Sequence, residues 1–190
     1  LRVVEVVRWG LSKGNESEAL ESLSGVVAIA AGNSYDLALQ ANGRILAWGN
    51  GMPAPELRRI QAIAAGGGHG LALQAGDTVF AWGENGFGQA RVPLNLSNVG
   101  KIAAGGRHSL ALRQDGTVVA WGDNDVGQAR VPTELTRVVA IAAGRGQSLA
   151  LRADGTVVGW GYHTAYCLGD DTQIPATVPA KLTNVVAISA

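Results

Sequence analysis

The chain has 190 residues, with 15 lysines and arginines against 15 aspartates and glutamates, and a single cysteine, Cys167. The zero balance makes no overall electrostatic case for nucleic acid or an anionic membrane. One cysteine excludes an internal disulfide, and no apolar run approaches the ~18 residues of a membrane-spanning helix.

In chain order the first landmark is Trp9-Gly10. It returns as Trp48-Gly49, Trp82-Gly83, Trp121-Gly122 and Trp160-Gly161, at intervals of 39, 34, 39 and 39 residues. Every tryptophan of the chain falls in this series, so the chain is an internal repeat. A period of this size marks a solenoid, propeller or array. A second signal runs ahead of each later Trp-Gly: VVAIAAGNSYDLAL from Val26, AIAAGGGHGLAL from Ala62, KIAAGGRHSLAL from Lys101 and VVAIAAGRGQSLAL from Val138. The units fall at about 26–59, 60–98, 99–137 and 138–184, with partial units at 1–25 and 185–190.

Each complete unit holds a first apolar run, a second of the form LAL, a tight turn and a third run ending in Trp-Gly. Runs this short between Gly-rich breaks predict strands rather than helices. The turns Asn42-Gly43, Gly76-Asp77, Asp115-Gly116 and Asp154-Gly155 predict type I′ hairpins with positive φ at both central residues. A fourth edge element is expected at Gln89-Ala90-Arg91-Val92 and Gln128-Ala129-Arg130-Val131, just before Pro93 and Pro132. Such a unit is one blade of an all-β propeller. The Ala-Ala-Gly runs ending at Gly32, Gly66, Gly105 and Gly144 suit the innermost strand, where blades crowd the axis. Trp9, Trp48, Trp82, Trp121 and Trp160 are expected to fill the space between blades. Residues 1–190 read as one repeat domain. The expected form is an arc of four complete blades, cut from a longer ring; the rival is a small closed ring with an imperfect closing blade.

The pattern Trp-Gly-x-Asn-x-x-Gly-Gln is carried by Trp82, Gly83, Asn85, Gly88 and Gln89, and again by Trp121, Gly122, Asn124, Gly127 and Gln128. His-Ser-Leu-Ala-Leu stands at His108 to Leu112. These residues resemble the repeats of the regulator-of-chromosome-condensation superfamily. The short period is most like its bacterial branch, which includes a secreted β-lactamase inhibitor propeller. The resemblance implies seven blades in the intact protein. It also implies an alternative function, regulation of a GTPase or another enzyme as an exchange factor or inhibitor. Two features depart from those members. The inhibitor presents aromatic anchors on its rim loops, whereas Asn33-Ser34-Tyr35, Gly67-Gly68-His69, Gly106-Arg107-His108 and Arg145-Gly146-Gln147 supply one aromatic. The wedge element of the exchange factor has no counterpart here.

Residues that suggest chemistry read mostly as framework. His69 and His108 recur at one repeat position, and Gln147 replaces them in the next unit, so they are expected as structural turn residues rather than ligands. Gly66-Gly67-Gly68-His69-Gly70 lacks the following helix a dinucleotide fingerprint needs. Asp123, Asp125 and Glu134 imitate a calcium loop, but Gln128 stands where its glycine belongs. No nucleophile signature is present, and Asp170-Asp171 reads as solvated charge. Asn15-Glu16-Ser17 and Asn95-Leu96-Ser97 match glycosylation sequons, which matter only in a eukaryotic secretory pathway. The sequence therefore predicts no catalytic residue, cofactor or metal. It predicts a module that binds another protein through rim loops, with Tyr35, Arg107 and Arg145 as contacts. The loop after Trp160 is eight residues longer than standard and adds Tyr162, His163 and Tyr166. Of the compartments, secreted or cell-surface placement is favoured over the cytoplasmic alternative.

Overall fold

A computed structural model describes residues 24–33, 35–49, 53–164, 173–179 and 182–190. Trp9, Tyr166 and Cys167 lie outside them. The described residues form strands, turns and loops without a helix.

The first blade comprises β1 (Val26–Ala31), β2 (Tyr35–Gln40) and β3 (Ile45–Gly49). The second comprises β4 (Ile60–Ala65), β5 (His69–Gln74) and β6 (Thr78–Gly83). The third comprises β7 (Val99–Ala104), β8 (His108–Arg113) and β9 (Val118–Gly122). The fourth comprises β10 (Val138–Ala143), β11 (Gln147–Arg152), β12 (Val157–Thr164) and β13 (Gln173–Pro175). Strands pair antiparallel in sequence order within each sheet. The middle strand of each blade is buried on both faces, which is why it reads as an unbroken apolar LAL rather than an alternation.

The core lies between blades. Leu71 and Leu73 of β5 pack with Val79 of β6 against Val99 and Trp121 of the third blade. Leu110 and Leu112 of β8 meet Val138, Ala150 and Trp160 of the fourth in the same way. Leu37, Leu71 and Leu110 are fully buried. Each such leucine contributes about 1.5–3 kcal/mol of burial that an isolated blade would forgo. The innermost strands approach so closely that side chains are excluded. A Cβ on Gly105 would lie 2.6 Å from the Gly144 carbonyl, and one on Gly32 would lie 2.6 Å from that of Gly66. Neighbouring blades are tied there by Gly106 N–H to Gly144 O at 3.0 Å and Gly67 N–H to Gly105 O at 3.0 Å.

Two sequence expectations are corrected. The hairpins are not type I′. Arg113 N–H bonds Thr117 O, so the loop holds Gln114, Asp115 and Gly116. Only Gly116 has a positive φ (82°) there, as do Gly43 (80°) and Gly155 (78°) in theirs; Gly76 and Asp77 alone are both positive. All four are three-residue loops: the first, third and fourth are a type I turn closed by a left-handed glycine, whereas the second, Ala75 to Asp77, closes on left-handed Asp77 after a positive-φ Gly76. The aspartate or asparagine instead caps: Asp115 Oδ1 accepts from Thr117 N–H at 2.9 Å and from its hydroxyl at 2.7 Å.

The fourth strand is also absent where it was expected. Gln89–Arg91 and Gln128–Arg130 are turns and loop. Gln89 and Gln128 are buried, and their side-chain oxygens accept from Phe87 N–H and Val126 N–H at 2.9 and 3.0 Å. Their carbonyls are taken by the next blade, so the segment bridges blades instead of extending a ladder. Among the described residues a fourth strand, β13, occurs only on the lengthened β12.

Candidate protein-binding face

One end of the arc is built from two sets of loops. The first set joins the inner strand of each blade to the middle one: Gly66–Gly68, Gly105–Arg107 and Gly144–Gly146. The second follows each Trp-Gly. Backbone bonds lock the sets together, from Glu84 N–H to Gly68 O, Asp123 N–H to Arg107 O and Tyr162 N–H to Gly146 O, at 2.7, 2.9 and 2.9 Å. The glycine of Trp-Gly makes this possible. Gly122 has φ 100°, and a Cβ there would meet the Arg107 carbonyl and the Gln89 backbone.

Beneath the loops runs a buried polar network. His69 Nε2 lies 2.8 Å from Ser109 Oγ, and His108 Nε2 lies 2.9 Å from Ser148 Oγ, each across a blade boundary. Ser109 and Ser148 donate to the carbonyls of Gln89 and Gln128, which also accept from the indoles of Trp121 and Trp160. Since the serine proton is committed, the serine oxygen accepts from the histidine, which fixes the Nε2–H tautomer. Burial then holds both imidazoles neutral, at pKa values of about 4; His69 lowers His108 further and Asp123 acts the other way. His69 and His108 open strands β5 and β8; they are not turn residues.

Tyr35 occupies the same position in the first blade, and it corrects the expectation of an exposed contact. It is 2% exposed. Its hydroxyl donates to His69 O and accepts from Gly66 N–H at 3.1 Å, and desolvation pushes its pKa up to about 12. Where the later blades have Ser109 and Ser148, the second blade has Gly70, against which the Trp82 indole lies.

Arg107 and Arg145 are exposed on the loop end. Arg107 stacks its guanidinium over the Phe87 ring, 4.6 Å from the centroid. Phe87 is 43% exposed and was not singled out from the sequence. The signal existed, since Phe87 occupies the repeat position of Val126 and Arg107 that of Gly68 and Gly146. Val126 packs against Gly146 instead. Tyr162 is half-buried and extends β12; the His163 backbone pairs with that of Ile174 of β13. Near the axis, Gly32, Gly66, Gly105 and Gly144 surround a depression of about 310 Å³, with Asn33 and Arg145 at its margin. The amides of these glycines are already bonded. Among the described residues no three His, Cys, Asp or Glu side chains converge.

The fold and the loop end define a propeller assembled from near-identical blades. The chain matches the Regulator of chromosome condensation (RCC1) repeat at residues 60–89, 100–128 and 138–171. It belongs to the RCC1-repeat superfamily. Its fold is similar to that of Prp20p from Saccharomyces cerevisiae, at 24% identity and TM-score 0.68, covering 87% of this chain and 54% of that one. It is also similar to yeast RCC1 (Prp20) as bound by Kap60, at 26% identity and TM-score 0.67, covering 82% and 49%. Human WBSCR16 is similar at 22% identity and TM-score 0.61, covering 78% and 52%. The chain thus spans about half the length of the yeast structures. No curated protein sequence matches it at a significant level.

Proposed function

We propose that the chain is a non-catalytic propeller module that binds another protein through the loop end of the blades. The observation that carries this reading is the division of labour among repeat positions. The recurring Trp, Gly and buried His are used up in joining blades, while the loop end carries exposed side chains that the repeat does not require. The axial depression is walled mainly by alanine and glycine backbone, which suits packing rather than proton transfer. The yeast relative was solved with the protein Kap60 bound, and Prp20p is described for its binding to Gsp1p and histones. Those partners belong to those proteins; what carries over is a fold used for protein contact.

The contacts proposed here are Arg107 and Arg145, with Tyr162 and His163 on the lengthened strand and Tyr166 beyond it. The test is affinity capture with the immobilised chain, followed by cross-linking and mass spectrometry of the complex. Cross-links should fall on 84–90, 105–107, 123–127, 144–146 and 162–166. A saturable partner cross-linked only to the hairpins at 41–43, 75–77, 114–116 and 153–155 would overturn the reading.

A further inference from the structure

The loop end carries one pair of side chains that depart together from the repeat. Phe87 stands where the next blade has Val126, and Arg107 where the neighbouring blades have Gly68 and Gly146. The two meet in space, across the boundary between the second and third blades. Neither is needed by the blade framework, because Val126 and glycine serve at the same positions.

Both are held before any partner arrives. Phe87 sits at the tip of a loop in which Gly88 N–H bonds Asn85 O at 3.1 Å, Asn85 Oδ1 accepts from Ala90 N–H at 3.0 Å and Gln89 Oε1 accepts from Phe87 N–H at 2.9 Å. Arg107 opens onto β8, with its carbonyl fixed by Asp123 N–H. Neither nearby carboxylate forms an ion pair with Arg107 among the described residues. Glu84 lies over Gly68, and Asp123 Oδ1 accepts from Asp125 N–H at 2.9 Å. Among the described residues Arg107 has no ion pair; one face of its guanidinium rests on the ring. A stacked guanidinium keeps its edge N–H groups free to grip a carboxylate with two bonds.

We propose that Phe87 and Arg107 form a preorganised anchor for an acidic protein segment, with Arg107 pairing a carboxylate and the exposed edge of Phe87 covering an adjacent aliphatic side chain. This rests on the reading of the loop end as a protein-binding face and names the chemistry it selects. Fixed aromatic and arginine side chains suit such a role, since little side-chain freedom is lost on binding.

The test is a two-dimensional NMR titration of the 190-residue chain with a short peptide alternating leucine with aspartate or glutamate. The same peptide with asparagine and glutamine, and a thymidine oligonucleotide, serve as comparisons. The acidic peptide should shift the Phe87 and Arg107 loops saturably, at least tenfold more tightly than its amide analogue. Arg107→Glu and Phe87→Ser should each weaken it tenfold or more, while Arg130→Glu on the neighbouring loop should change it less than threefold. A spectrum otherwise unchanged shows that each variant is folded. Equal binding of the amide analogue, or tighter binding of the oligonucleotide at the same residues, overturns the proposal. Shifts on the loop end that are insensitive to Arg107→Glu overturn it too, yet leave the loop end as a binding face. No shift on any loop at millimolar peptide overturns the anchor, and captured partners cross-linked away from the loops would overturn the broader reading.

Discussion

His108 donates from Nε2 to Ser148 and leaves Nδ1, buried, without a partner. Protonation would place a charge there that nothing solvates. His69 repeats this arrangement one blade earlier. Their folded pKa values of about 4 lie below the ordinary 6.5. The unfolded chain therefore binds more protons between those limits. Stability should be complete above about pH 6.5 and fall as pH drops towards about 4, by on the order of 3 kcal/mol per histidine. His108→Gln replaces the imidazole donor with an uncharged amide, the residue type found at Gln147 in the fourth blade. Urea titrations at several pH values should show a shallower acid loss in that variant; an unchanged slope would mean His108 is not buried neutral. Tyr35→Phe should cost roughly 1–3 kcal/mol, because the hydroxyl satisfies buried groups of the second blade. The burial of Tyr35 was half legible. Tyrosine replaces histidine in the first blade, and Gly70 replaces serine in the second, so the larger side chain goes with the smaller neighbour across the boundary. Read alone, a tyrosine in a Gly-rich loop looks like a contact. The pairing becomes visible only when positions one blade apart are compared.

The three strands of each blade were legible because a glycine-containing loop marks at least one end of each and the apolar runs are short. The turns were less so, because Asp-Gly serves both a two-residue type I′ loop and a three-residue loop with one left-handed glycine. Residue count between paired strands decides between them, and strand ends are what a sequence marks least sharply. The supposed fourth strand failed for another reason: Gln89 and Gln128 are drawn inward by bonds to their own loops and to the next blade, which composition does not reveal. A further regularity lies at the start of each blade. Arg59, Asn98, Arg137 and Asn184 all have φ between 54° and 58°. Asparagine adopts this conformation more readily than other side chains except glycine. Arg137→Asn should thus be neutral or stabilising, within about 0.5 kcal/mol, since the exposed Arg137–Asp154 pair at 3.8 Å contributes little. Arg137→Val should lose more than about 1 kcal/mol, because a β-branched residue is strained there. Equal midpoints for the two variants in thermal unfolding would refute the assignment.

At the scale of the molecule, near-identical blades divide residues into those that recur and those that do not. The recurring ones were legible from the Trp-Gly spacing, since inter-blade packing imposes the same shape at every boundary. Phe87 was not, because its meeting with Arg107 depends on loops from two blades. The same division leads us to expect no tight metal site: elemental analysis after dialysis should find no stoichiometric zinc or calcium, and a retained equivalent would reopen the histidines and Asp123 as ligands. The central claim is that Trp121 builds the arc while Phe87 and Arg107 are free to serve a partner. Urea unfolding of three variants tests it. Trp121→Ala should lose roughly 3–5 kcal/mol, as large-to-small core changes do. Val126→Ala and the double variant Phe87→Ala/Arg107→Ala should each lose less than about 1 kcal/mol, because partly exposed loop side chains leave no cavity. Comparable losses in Trp121→Ala and the double variant would show that the pair is framework and contradict the account.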